Sequence, residues 1–129
     1  MKSTQSQAQN DDLKTALERI VKDLEETRTY EGRLSCERIL PPPGTSTDTP
    51  AGYPHLVVRE ERRTKFLGLI PHTARKVILI VKEGFYDVED KGKKDMFVLL
   101  KDKGCEAIAK RHLEGYGKRY QVTQLVFKT

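Results

Sequence analysis

The chain has 129 residues, enough for one hydrophobic core, with 36% hydrophobic and 33% charged residues and no tryptophan. Its formal net charge is +5, from 24 Lys/Arg against 19 Asp/Glu. No apolar run approaches the roughly 18–20 residues that cross a bilayer. The polar opening Met1–Asn10 also lacks the apolar stretch of a secretory signal, so a cytoplasmic or nuclear protein is expected.

In chain order, residues 1–10 are too polar to offset the entropy of ordering and are expected to form a disordered tail. Asn10, Asp11 and Asp12 then offer a helix cap. Leu13, Leu17, Ile20 and Leu24 recur at spacings of four, three and four, which predicts an amphipathic helix. That stripe suits packing on the chain's own core, and it also suits self-association. Arg33 to Leu40 has the imperfect alternation of a weak strand. Residues 11–40 thus form a helix followed by a strand.

Pro41-Pro42-Pro43-Gly44 opens a stretch of Thr, Ser, Asp, Pro and Gly to residue 52, which reads as a proline-rich linker. The linker coincides with a change of charge. Residues 1–52 hold seven Lys/Arg against nine Asp/Glu, leaving 17 against ten for residues 53–129. The basic excess therefore belongs to a predicted core domain, 53–129.

Within that domain, His55–Val58 and Lys65–Ile70 read as strands, separated by an exposed turn of ion pairs over Glu60–Arg63. Pro71 is expected to end the second strand. Lys76–Lys82, with its β-branched run, predicts a strand buried on both faces. Asp90–Asp95 reads as a polar turn leading into a strand at Met96–Leu100. Lys103–Gly115 follows as a helix stopped by Gly115 and Gly117, and Arg119–Lys128 as a last strand. Ile78, Ile80, Val98 and Ile108 are expected to be the most buried side chains. The order predicts an α+β fold: a mostly antiparallel sheet of four to six strands, one C-terminal packing helix and an amphipathic N-terminal helix.

Catalytic signatures are weak. The sequence holds no phosphate loop, no nucleophile elbow and no zinc-protease motif. Cys36 and Cys105 lack metal-ligand spacing and are expected to be free thiols. The carboxylates Asp87, Glu89, Asp90 and Asp95 are interleaved with lysines, which disfavours a cation. No cofactor, metal or catalytic residue is predicted. Met96–Ile108 is similar to the strand-to-helix passage of winged-helix regulators, but it departs from them at Lys101, and no helix-turn-helix precedes it.

The basic residues point further. Arg62, Arg63 and Lys65, then Arg75 and Lys76, form two groups. Lys110, Arg111, Lys118 and Arg119 form a third, interleaved with Tyr116 and Tyr120. Cations beside tyrosines suit nucleic acid, the charges meeting phosphate and the rings stacking on bases. These eleven residues are the predicted binding set of a non-enzymatic nucleic-acid-binding or regulatory protein, directed at RNA. The helix cations should then share a face with at least one of Arg62, Arg63, Arg75 and Lys76. The alternative is an interaction or assembly module that pairs, with a partner or a second copy, through the N-terminal helix and an exposed sheet face.

Overall fold

A computed structural model describes residues 2–44, 55–66, 70–86, 93–122 and 124–129, with side chains for 12–44, 55–63, 71–82, 95–122 and 124–129. The chain is α1 (Lys2–Glu26), β1 (Arg33–Ile39), β2 (His55–Phe66), β3 (Ile70–Tyr86), β4 (Lys93–Leu100), a 3-10 turn (Lys103–Cys105), α2 (Glu106–Arg119) and β5 (Gln124–Lys128). The sheet order is β1-β2-β3-β4-β5. Its first three pairings are antiparallel and β4–β5 is parallel. The parallel pairing follows from connectivity: α2 carries the chain back along the sheet, as a crossover must. The architecture is α+β, with the expected N-terminal and C-terminal helices.

The predicted stripe drives α1 into the core. Leu13, Leu17, Ile20 and Leu24 are each no more than 1% exposed. They pack with Leu34, Leu56, Val58, Leu79, Val81, Val98, Leu113 and Tyr116. The helix begins at Lys2, so the backbone of 2–10 is helical where composition suggests a tail. Leu34 precedes the proline-rich segment and Leu56 follows it, yet both line the same core. That segment thus marks a change in composition within one continuous core. Its residues 45–52 lie outside the described residues, as does the Asp87–Gly92 part of the acidic turn.

Three expectations about the strands are corrected. Residues 59–63 are the middle of one 12-residue strand, not a turn. Their charges fit a strand because opposite charges meet across it: Arg33, Glu61 and Arg75 form one cross-strand row. Pro71 is the second residue of β3, a strand start that tolerates a missing N–H. The run Val77–Val81 is not buried on both faces. Val58 pairs with Leu79 and Arg59 with Val77, which leaves Ile78 as a bulge residue. Ile78 and Leu79 are therefore both fully buried, while Ile80 is only half-buried on the opposite face. Val98 is buried as expected, and Ile108 only partly. In α2, Gly115 and Gly117 do not stop the helix, which continues to Arg119.

Candidate nucleic-acid interface

Directly paired residues share a face of the sheet, so the register sorts every described side chain. One face carries Leu34, Leu56, Val58, Leu79, Val81, Met96, Val98, Leu100 and Leu125, and both helices pack there. The other face carries Ile39, Val57, Val77, Ile80, Phe97, Leu99 and Val126, none of which belongs to that core. Among the described residues, no helix or strand packs over it. Apart from Val57, which is buried, these side chains are half-exposed.

The open face is basic. Arg33, Arg59, Arg63, Arg75, Lys82 and Lys128 lie on it with Glu37, Glu61 and the buried Asp95. Arg59 pairs with Glu37, and Arg75 lies 3.8 Å from Glu61. Arg33, Arg63, Lys82 and Lys128 have no ion-pair partner among the described residues. One row across four strands reads His55, Lys82, Phe97, Val126, which places a lysine beside the only aromatic side chain described on this face.

The hairpin of β2 and β3 extends past its neighbours. β1 pairs only as far as Glu61, and β4 only from Leu79. Five pairs, Arg62 with Ala74 out to Phe66 with Ile70, therefore form a two-stranded arm about 16 Å long at roughly 3.3 Å per residue. Arg62, Arg63, Arg75 and Lys76 are exposed on it or at its root. Lys65 pairs with Pro71 near its end, but its side chain lies outside the described residues.

The root of the arm is fixed by two carboxylates, Glu60 and Asp102. Glu60, 3% exposed, accepts from the Gly32 backbone N–H at 3.0 Å and from Arg62 Nε at 3.0 Å. Burial pushes its pKa up, but Gly32 and Arg62 outweigh that and hold it below the ordinary range. Gly32 must be a glycine, since a Cβ there would lie 2.6 Å from the Glu61 carbonyl oxygen. On the other strand Lys76 pairs with Asp102, which also accepts from Tyr30 Oη at 2.9 Å and from the Gly104 N–H at 2.8 Å. Lys76 above all, then Gly104, lowers the Asp102 pKa to about 2. Burial, then the Asp102 carboxylate, raises the Tyr30 phenol. Both cysteines are free, and burial raises their thiol pKa values, that of Cys36 to about 11.

The structure thus divides the predicted binding set into three. Arg63 and Arg75 join the open face. Arg62 and Lys76 turn to the helix side of the arm's root, each held by carboxylates. The α2 group lies on the helix side and is itself split, because adjacent positions on a helix diverge by about 100°. Arg111 and Arg119 face α1 together with Tyr116 and Tyr120. Lys110 bonds Glu106 at 3.0 Å and lies 5.7 Å from the Phe127 ring, and Lys118 lies beside Val122 and Leu125. Arg33, Arg59, Lys82, Phe97 and Lys128 were not in the predicted set, since only the strand register brings them together. Among the described residues no group of three His, Cys, Asp or Glu could hold a metal ion.

Fold and site together define an α+β protein whose five-stranded sheet is covered by two helices on one side and carries a basic open face and arm on the other. Comparison with protein-family models, curated proteins and solved structures finds no match to this chain. No described helix is long and apolar enough to cross a membrane.

Proposed function

We propose that the protein binds single-stranded RNA along the open sheet face and the β2–β3 arm, without catalysing a reaction. The observation that carries this reading is the basic open face itself: Lys82 and Lys128 flank Phe97 and its apolar neighbours, Arg33 and Arg63 extend the positive charge toward the arm, and none of the four makes an ion pair among the described residues. Phosphate binding sums over neighbouring cations, and a half-exposed ring gives a base a surface to stack on. An open sheet leaves the bases of a single strand free to lie flat, whereas a duplex hides them.

The test is fluorescence anisotropy of the full chain with labelled single-stranded RNA and double-stranded DNA at two salt concentrations. RNA affinity should fall with salt. Lys82→Gln and Lys128→Gln should each reduce the log–log slope by about 0.7, and Phe97→Ala should weaken binding by about 1–3 kcal/mol. Absence of binding to either nucleic acid at low salt refutes the proposal.

A second reading rests on the same face. Ile80, Leu99 and Val126 are half-exposed on three neighbouring strands, which suits burial against a second copy. A mass that rises with concentration in sedimentation, and falls in Leu99→Lys, would favour assembly.

A further inference from the structure

We propose that the groove between α1 and α2 is a separate binding site for a phosphate monoester. The groove has a volume of about 410 Å³ and lies on the side of the sheet opposite the RNA-binding face. Its principal groups are Arg19, Arg111, His112, Gly115, Arg119 and Tyr120. Arg19 comes from α1, and the others come from α2 and its C-cap residue, Tyr120.

Three guanidinium groups thus converge from two helices. Arg111 and His112 are held by one carboxylate, Asp23, at 2.7 Å and 2.5 Å. The hydrogen bond from His112, above all, keeps Asp23 ionised below the ordinary carboxylate range. Asp12, the carboxylate lining the groove, accepts from Tyr120 Oη at 2.5 Å. Both acids are therefore engaged, and they set the orientation of the groups around the opening. Arg19 and Arg119 have no ion-pair partner among the described residues. A guanidinium presents a fork of donors that matches a phosphate's oxygens. Arg119 also lies 5.8 Å from the Tyr120 ring centroid, so charge and an aromatic surface adjoin.

Gly115 is an independent pointer. Glycine is the poorest helix former after proline, and packing does not demand it here: a Cβ built on it meets nothing within 4 Å. Gly117, by contrast, would meet Leu125 at 3.5 Å. Gly115 therefore keeps open the α2 wall of the groove, between Arg111 and Arg119, where a larger side chain would fill the site without disturbing the fold.

Calorimetric titration of the full chain with inorganic phosphate and with a nucleoside 5′-monophosphate tests the site. Both should bind saturably. Tighter binding of the nucleotide would show that the Tyr120 ring contributes, and equal binding would show that the phosphate group alone is recognised. Arg19→Gln and Arg119→Gln should each weaken binding about tenfold, as loss of a charge-assisted hydrogen bond does. Gly115→Leu should abolish it while keeping the native unfolding midpoint. If Gly115→Leu fails to fold, the arginine variants decide. Failure of both ligands to saturate at millimolar concentration, or native affinity in both arginine variants, overturns the proposal. The two sites are separable: Arg19→Gln should leave binding of 5′-hydroxyl RNA unchanged, and Lys82→Gln should leave phosphate binding unchanged.

Discussion

Removal of α1 should abolish cooperative folding. The helix places four aliphatic side chains, Leu13, Leu17, Ile20 and Leu24, at 1% exposure or less. Full burial of each contributes about 1.5–3 kcal/mol, or about 6–12 kcal/mol for the stripe. A domain of this size has a net stability of roughly 5–15 kcal/mol, so the two quantities are comparable. A chain lacking residues 1–29 should therefore give a broad, non-cooperative urea transition and lose its near-ultraviolet circular dichroism. Leu17→Ala alone should cost about 2–5 kcal/mol and keep a single transition at a lower midpoint. A truncated chain that unfolds cooperatively near the native midpoint would refute this reasoning, and would show that the sheet and α2 form a sufficient core.

The two faces of β3 should respond differently to truncation: Ile78→Ala should cost about 2–5 kcal/mol in urea unfolding, and Ile80→Ala clearly less, because Ile80 is half-exposed on the open face. Equal costs would mean that something buries that face in solution. Asp102, with its pKa lowered to about 2 from an ordinary 3.8, stabilises the fold at pH values above the unfolded one. Its contribution, about 1–2 kcal/mol once discounted for solvent around Lys76, is lost as pH falls through about 2. Asp102→Asn should therefore lower the urea midpoint at neutral pH, with the gap to the native protein closing in acid. A constant gap would refute an ionic role.

Local periodicity revealed the elements better than the faces. The α1 stripe is legible because four residues at helical spacing have one reading. The hydrophobic run of β3 is legible as a strand, but its bulge at Ile78 shifts the alternation, so which isoleucine faces the core depends on the partner strand. Residues 59–63 look like a turn because alternation does not distinguish solvated charges from charges paired across strands. That Lys110 and Arg111 point apart could have been read from helical geometry alone, since adjacent positions diverge by about 100°. The role of Arg19 could not, because its companions lie about ninety residues away, brought close only by docking of the two helices. The open-face set has the same cause: Arg33, Lys82 and Lys128 sit on three different strands.

The contact between the two helices also bears on how the chain reaches its fold. α1 precedes every strand of the sheet in the chain, yet part of its apolar stripe packs with Leu113 and Tyr116 of α2. Asp23 likewise meets Arg111 and His112, 88 and 89 residues later. During translation, completion of α1's packing must wait until α2 has emerged from the ribosome. Contacts of such sequence separation slow folding, and apolar surface left waiting favours aggregation. Glu18, Lys22, Glu25 and Glu26 are exposed on the outer side of α1, and exposed charge opposes association of a chain whose apolar surface is still uncovered, so a neutral outer surface should lower the yield of folded protein before it alters the stability of the finished molecule.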